Sequence, residues 1–428
     1  MADPLRLGIA GLGTVGAGVV KIVRRKAELI AARAGRPVTI SAVSARTRDK
    51  DRGVRLDDYA WEDDPVALAR RDDVDVLVEL MGGADGPAKA ATEAALAAGK
   101  DVVTANKAML ALHGPDLAEA AESRGRVLRF EAAVAGGIPV VKALTEGLAG
   151  NEIERVLGVM NGTCNYILTR MESAGLDYGT VFDEANQLGF LEADPALDVG
   201  GIDAGHKLAL LASIAYGVRV PFDQVALEGI ERVSIDDIGR ARDLGFRIKL
   251  LGVAQMTGRG LEARMSPCLV PADTPLGQLE GPTNMCVLEG DASGQIVLRG
   301  AGAGEGPTAS AVMADVIDVA RGTRLSTFGV PARTLGEVTL ARSVTPAPYY
   351  LRMELMDRPG ALAKIATVLG EAGISIDRMR QYRHAADTAP VLIVTHACAR
   401  DALDAALAAM PATGVLATEP VALRIESV

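Results

Sequence analysis

The chain has 428 residues, 49% of them hydrophobic and only 3% aromatic, so two or three domains with cores of Ala, Val, Leu and Ile are expected. Its net charge of −10 argues against nucleic acid or an anionic membrane as partner, and no apolar run reaches the ~18 residues of a membrane span. Cys164, Cys268, Cys286 and Cys398 show no C-x-x-C spacing, and Met1 to Arg6 carries no signal-peptide pattern. Neither a zinc site nor a disulfide framework is indicated, and a reducing cytoplasm is the expected setting.

LRLGIAGLGTVGAGVVKIV reads as strand, glycine turn and helix. Gly11, Gly13 and Gly16 form G-x-G-x-x-G in the context that a dinucleotide fingerprint needs. Gly11 permits the tight turn, Gly13 lets backbone approach a pyrophosphate, and Gly16 lets helix pack on strand. The pyrophosphate is expected on the amides opening the helix, where Thr14 and Val15 stand. A second strand is expected at Val38 to Val43. Where an acid would mark NAD, the chain offers Arg46, Arg48 and Lys50, which suit the 2′-phosphate of NADP. A basic surface loop, softened by Asp49 and Asp51, accounts for the same residues.

DVLVEL (Asp75 to Leu80) has the pattern of a buried strand. An alanine-rich helix follows from Pro87 to Gly99, and DVVTANK then places Asn106 and Lys107 at a strand's carboxyl end. Ligands of open α/β sheets collect there, so Lys107 is placed to meet cofactor or substrate. Val127 to Phe130 is the next strand. Strands alternating with helices predict a doubly wound parallel sheet of the Rossmann type over residues 1–130.

A middle α+β domain is expected over 131–342, with about 301–342 returning to the first domain. EAAVAGGIPV sets Glu131 beside a glycine turn whose carbonyls suit a hard cation such as sodium, and a plain crossover loop explains it equally. Strands are expected at Glu152 to Met160, Gly229 to Val233, Arg247 to Ala254, Leu261 to Val270, Met285 to Glu289 and Gln295 to Arg299. The later ones should pair antiparallel. Phe182 to Leu188 reads as a helix stopped by Gly189.

EADPALDVGGIDAGHK then gathers Glu192, Asp194, Asp198 and Asp203 with Lys207 around Gly200-Gly201. In a helix from Ile202, Asp203 and Lys207 share a face with the acid on the favourable N-terminal side. A solvated loop with one surface ion pair is the plain reading. The alternative is a partly buried amine tuned by its carboxylate neighbours. GAGAGEGPTASAVMADV is a glycine turn entering a helix at Pro307. It either brings Gly302, Gly304 and Glu305 to the cofactor or is an ordinary helix start.

From Tyr349 to Val428 the order βαββαβ predicts a small ferredoxin-like sandwich, poor in reactive groups. His384 and His396 read as solvated or satisfied rather than as ligands.

GLGTVG, TANK at Thr104 to Lys107, MNGTCNYIL at Met160 to Leu168 and GFLEADPALDVGGIDAGHK together resemble homoserine dehydrogenase, and the tail resembles an amino-acid-binding ACT domain. The resemblance spans essentially the whole chain. It implies NAD- or NADP-dependent interconversion of L-homoserine and L-aspartate 4-semialdehyde in threonine, methionine and isoleucine biosynthesis, in a homo-oligomer with threonine as possible effector. It implies Lys207 as proton donor or acceptor, with Lys107 opposite it beside the nicotinamide. Glu192 and Asp203 would hold substrate, Glu192 taking its ammonium, and Asp198 would order the site. Gly189 and Gly304 would touch cofactor, and Glu131, Val134, Gly136 and Ile138 would bind a structural sodium. Ala105 stands where the family also accepts a hydroxyl residue. Another NADP-linked semialdehyde reductase and a non-catalytic amino-acid sensor are the competing functions.

Overall fold

The computed structural model describes residues 3–191, 194–341, 345–382 and 387–427. The expected strands β1 (Leu5–Ala10), β2 (Val38–Ser44), β4 (Val76–Glu79), β5 (Asp101–Thr104) and β6 (Leu128–Arg129), with a short strand not expected from the sequence, β3 (Ala60–Glu62), form one parallel sheet in the order β3-β2-β1-β4-β5-β6. The Val, Leu and Ile residues of the central strands β1, β4 and β5 suit strands covered on both faces. Helix α1 (Thr14–Arg25) follows β1 directly, and α2 (Lys107–Glu122) follows β5.

A short helix, α3 (Glu131–Ala135), leads out of this sheet. The second sheet is built on β7 (Ile153–Val159), with α4 (Gly162–Ala174), α5 (Pro195–Val199) and α6 (Ile202–Tyr216) beside it. Two antiparallel pairs continue it: β8 (Phe246–Thr257) with β9 (Gly260–Pro271), and β10 (Thr283–Gly290) with β11 (Gly294–Ala301). Helix α7 (Glu305–Arg321) then packs back on α1. A Cβ on Gly18 of α1 would lie 2.9 Å from the Glu305 carbonyl oxygen, and Lys21 pairs with Glu305 at 2.8 Å.

Two readings change. Gly229 to Val233 is not a strand; the short strand is Ala226–Leu227, parallel to β9. The backbone after it is used elsewhere: Ile230 N–H donates to the Val199 carbonyl at the end of α5, while Ile230 and Val233 fill core. Helix α7 begins at Glu305, two residues before Pro307. Pro307 sits in the first turn, where its missing N–H costs little.

The tail forms β12 (Tyr349–Met356), α8 (Ala361–Glu371), β13 (Ile376–Gln381), β14 (Thr388–Thr395), α9 (Arg400–Ala409) and β15 (Val421–Ile425), the expected βαββαβ order. His396 is exposed, and His384 lies outside the described residues. The tail is not a separate sheet. Strand β15 pairs in parallel with β9 at Cys268↔Arg424 and Leu269↔Ile425, giving one sheet in the order β11-β10-β7-β8-β9-β15-β12-β14-β13. Buried charges sit on this seam. Glu426 takes Arg264 and Arg424, the latter at 2.9 Å, and lies 3.4 Å from Arg155 of β7. Among the described residues no helix is long and apolar enough to cross a membrane.

Glu426→Ala would leave two buried guanidiniums short of their shared acceptor. The expected cost is about 2 to 3 kcal/mol, read as a lower urea midpoint. An unchanged midpoint would show that the seam adds nothing to stability.

Candidate active site

The glycine turn is built as its spacing requires. Gly11 has φ +101°, and a Cβ there would lie 2.6 Å from the Leu80 carbonyl oxygen. A Cβ on Gly16 would lie 2.1 Å from the Gly11 carbonyl oxygen, so only glycine lets α1 seat on the turn. Gly13 instead faces open space, with nothing within 4 Å of an added Cβ, and Thr14 beside it is exposed. This is a cradle at a helix N-terminus that a phosphate can enter. Arg46 is exposed just beyond β2. The loop it belongs to is fastened to the glycine turn by Arg52, which donates to the carbonyls of Leu12 (3.1 Å), Thr47 and Lys50 (2.7 Å).

Beside the turn lies a cavity of about 690 Å³ between the two sheets. Val15, Leu80 to Gly82 and Lys107 line it from the first sheet. Asn161, Asp198, Asp203 and Lys207 line it from the second, with Gly189 and Gly304 at its wall. Each half is positioned by a helix start. Asn106 accepts from the Met109 amide at 3.1 Å and so caps α2, whose first residue is Lys107. Gly201, at φ +81°, turns the chain into α6 and brings Asp203 and Lys207 onto one face.

Asp203 is the meeting point. Lys207 donates to its Oδ2 at 2.6 Å, and Lys107 Nζ lies 2.8 Å from its Oδ1. Lys207 also donates to the Met160 carbonyl at 2.9 Å. Asp203 is 6% and Lys207 8% exposed, so the plain reading of a surface pair does not hold. Burial alone would raise the Asp203 carboxyl, but Lys207 and Lys107 together hold it well below the usual carboxylate range. His206 stacks on Phe222 at 4.1 Å, and burial pushes its imidazole down, towards the neutral form.

The remaining expected residues divide. Asp198 joins the site: Asn161 Nδ2 donates to it at 2.9 Å and lies 3.4 Å from Asp203 Oδ2. Asp194 instead caps α5 through the Ala196 amide at 3.1 Å, and Glu192 lies outside the described residues. Glu131 is buried apart from the lysines and accepts from the amides of Val141 (3.0 Å) and Lys142 (2.8 Å). Val134 and Ile138 are buried near it in sequence, and the Ile138 carbonyl accepts from the Val140 amide. Gly136, at φ +56°, lets this turn press on the Gly302 carbonyl, which an added Cβ would meet at 2.4 Å.

Two asparagines were not singled out from sequence. Asn161 caps α4 through the Cys164 amide at 2.8 Å while its Nδ2 reaches the carboxylates. Asn284 donates to the same Met160 carbonyl that Lys207 uses, at 3.0 Å. Asn161 carried a signal, an N-cap residue before Gly-Thr between strand and helix; Asn284, at the start of β10, carried none.

Asn161→Asp keeps a cap acceptor but sets a third carboxylate beside Asp198 and Asp203. Repulsion raises the introduced group's folded pKa above its unfolded value near 4, so its cost grows as pH rises through that window. The expected loss is about 1 to 3 kcal/mol at pH 7.5, shrinking towards pH 5. Urea midpoints of both proteins at both pH values measure it, and equal losses at the two would contradict it.

The chain matches the family models for homoserine dehydrogenase over residues 139–317, the homoserine dehydrogenase NAD-binding domain over 11–131 and the ACT domain over 349–410. It is 41% identical over 433 residues to homoserine dehydrogenase of Neisseria gonorrhoeae, covering 99% of each chain. Its fold is similar to the crystal structure of a homoserine dehydrogenase from Thiobacillus denitrificans, with TM-score 0.94, 38% identity and 99% of each chain covered. It is also similar, with TM-score 0.63 and 27% identity over 74% of this chain and 97% of the other, to a hyperthermophilic archaeal homoserine dehydrogenase mutant in complex with NADPH. With a nucleotide-binding sheet, a catalytic sheet and a C-terminal ACT domain, this chain belongs to the homoserine dehydrogenases, a family of oxidoreductases.

Proposed function

We propose that the chain reduces L-aspartate 4-semialdehyde to L-homoserine with NADPH, on the route to threonine, methionine and isoleucine, under control of its ACT domain. The observation that carries the reading is one buried carboxylate, Asp203, held between two lysines from different sheets beside the glycine turn. With Asp198 counted, two ammoniums face two carboxylates, and the amines themselves stand in the cavity wall. An ammonium placed there suits an aldehyde oxygen that turns negative as it is reduced.

The open cradle at Gly13 fits a dinucleotide's pyrophosphate, and the nicotinamide, when bound, supplies or accepts the hydride. Lys207 gives the substrate oxygen its proton in reduction and takes it back in oxidation. Lys107 stands opposite, towards the first sheet. Asp203 orients both amines, and the Met160 carbonyl fixes the direction of the Lys207 head group. Glu192 takes the substrate's ammonium, while Asp198, held by Asn161, orders the wall of the site. Thr14, Val15, Gly189 and Gly304 surround the cofactor, and Arg46 with its basic neighbours favours the 2′-phosphate of NADP. The active form is a homo-oligomer in the cytoplasm. Three units serve these roles: residues 1–130 bind cofactor, 131–342 bind substrate and dimerise, with about 301–342 returning to the first unit, and 349–428 regulate.

A sodium ion at Glu131, with the carbonyls of Val134, Gly136 and Ile138, fits the charge around that carboxylate. Burial and the neighbouring Asp315 push the Glu131 carboxyl up to about 7, so the pocket is short of positive charge. A cation would relieve this.

The decisive assay follows NADPH and NADH oxidation with L-aspartate 4-semialdehyde, with and without threonine. Faster use of NADPH, slowed by threonine, is expected; no oxidation of either nucleotide would favour the amino-acid sensor. Lys207→Ala is expected to lower turnover by about a hundredfold or more with NADPH affinity nearly intact. Turnover that survives the substitution would remove its assigned role.

The sodium reading makes a separate prediction. With a folded pKa of about 7 against an ordinary 4.5, ionising Glu131 costs stability that is absent at low pH and fully present above about 7. Replacing choline chloride by sodium chloride should therefore raise Tm more at pH 8 than at pH 5. Glu131→Gln should erase the difference, and a response equal at both pH values would count against the site.

A further inference from the structure

The carboxylate of Glu79 plays no part in the chemistry above, yet it is fully buried at the carboxyl end of β4, in the middle of the nucleotide-binding sheet. Burying a charge there is costly unless every lone pair is used. Thr104 Oγ1 donates to Glu79 Oε2 at 2.6 Å, across the register Glu79↔Thr104 between β4 and β5. The Met81 amide donates to Oε1 at 2.7 Å, and the Gly82 amide lies 3.4 Å from the same atom. These are hydroxyl and amide donors, with no cation among them. Burial pushes the carboxyl up, and the Thr104, Met81 and Gly82 donors pull it back.

Each partner of Glu79 leads to the cavity. Thr104 Oγ1, its own hydrogen committed to Glu79, accepts from the Asn106 amide at 3.0 Å. Asn106 in turn caps α2 and donates from Nδ2 to the Gly83 carbonyl at 2.7 Å. The residue after Asn106 is Lys107, whose Nζ reaches Asp203 from the other sheet. On the other side, Met81 and Gly82 are themselves the cavity wall. One carboxylate thus ties together the wall and the start of the helix that carries Lys107.

We propose that Glu79 is a positioning residue for the reaction: through Thr104 and Asn106 it sets where Lys107 enters the cavity, while the Met81 and Gly82 amides hold the carboxylate from the other side. The inference rests on the assigned role of Lys107. A carboxylate is needed because both its oxygens must accept. A glutamine of the same shape accepts at one end only, so its NH₂ must face either the Thr104 hydroxyl or the Met81 amide, and one of those donors loses its acceptor.

The test compares Glu79→Gln, Thr104→Val, Thr104→Ser and Lys107→Ala, with Glu79→Gln and Thr104→Val each also made in the Lys107→Ala background. Steady-state kinetics use NADPH and L-aspartate 4-semialdehyde, with Tm measured alongside. Lys107→Ala is expected to be strongly impaired. Glu79→Gln and Thr104→Val should each lower kcat by roughly tenfold to a hundredfold. Thr104→Ser should restore it. Neither Glu79→Gln nor Thr104→Val should lower kcat further once Lys107 is alanine, because they act through that amine. A loss that multiplies with Lys107→Ala, or Glu79→Gln and Thr104→Val both at wild-type kcat, would overturn the proposal while leaving the role of Lys107 intact. Should Glu79→Gln fail to fold, Thr104→Val carries the same comparison. Unimpaired Lys107→Ala would instead overturn the reading on which it rests.

Discussion

The arrangement rests on a single electrostatic constraint. Asp203 has been taken out of water, and it stays ionised because two lysines converge on it, one per oxygen. A buried carboxylate without such partners would protonate. The pair of amines therefore needs Asp203 as much as Asp203 needs them, and removing any member leaves an uncompensated charge. Since Lys107 opens α2, directly after β5 of the nucleotide-binding sheet, and Lys207 lies on α6 beside the other sheet, the same contact also bridges the cavity between the sheets.

Around this centre the polar groups work at the ends of regular elements. Asn106 and Asn161 are both N-caps, and each has a second hydrogen bond that reaches towards the cavity. A cap is already immobile, because it closes the first turn of a helix held by tertiary packing. Using its second group to orient a carboxylate or a loop adds precision at little further entropic cost. The Met160 carbonyl, just past β7, serves in the same way for Lys207 and Asn284. Glu79 differs in depth: it lies inside the sheet and its partners carry its effect outward.

The parts legible in the sequence are those that local rules determine. The glycine turn, the placement of Lys107 at a strand end, and Asp203 four residues before Lys207 follow from spacing, and the structure brings the last three groups together. What spacing could not express was burial: a surface ion pair and a buried one share the same i, i+4 pattern. Asp194 shows the converse, since its acidic neighbourhood pointed to the site while its position before Pro195 made it a cap. Gly229 to Val233 misled because its apolar residues recur without the strand's period, and the backbone there serves α5 instead. Asn284 and Glu79 are polar residues inside strands, whose role depends on what lies across the sheet.

The seam between tail and catalytic sheet carries the same lesson to longer range. Only two residue pairs join β15 to β9, too few to hold two sheets together by ladder hydrogen bonds alone. The buried group of Arg264, Arg424 and Glu426 supplies a second constraint. With Glu262 on Arg264 at 3.1 Å, two guanidiniums meet two carboxylates, and Glu426 reaches Arg264 only when β9 and β15 are in register. Arg155 extends the group to β7, the strand that leads directly into Met160 and Asn161. A slip of the tail would thus cost charge pairing at one end of β7, while the other end holds the hydrogen bonds that aim Lys207. The chain has tied its ACT domain to the strand on which the placement of Lys207 depends.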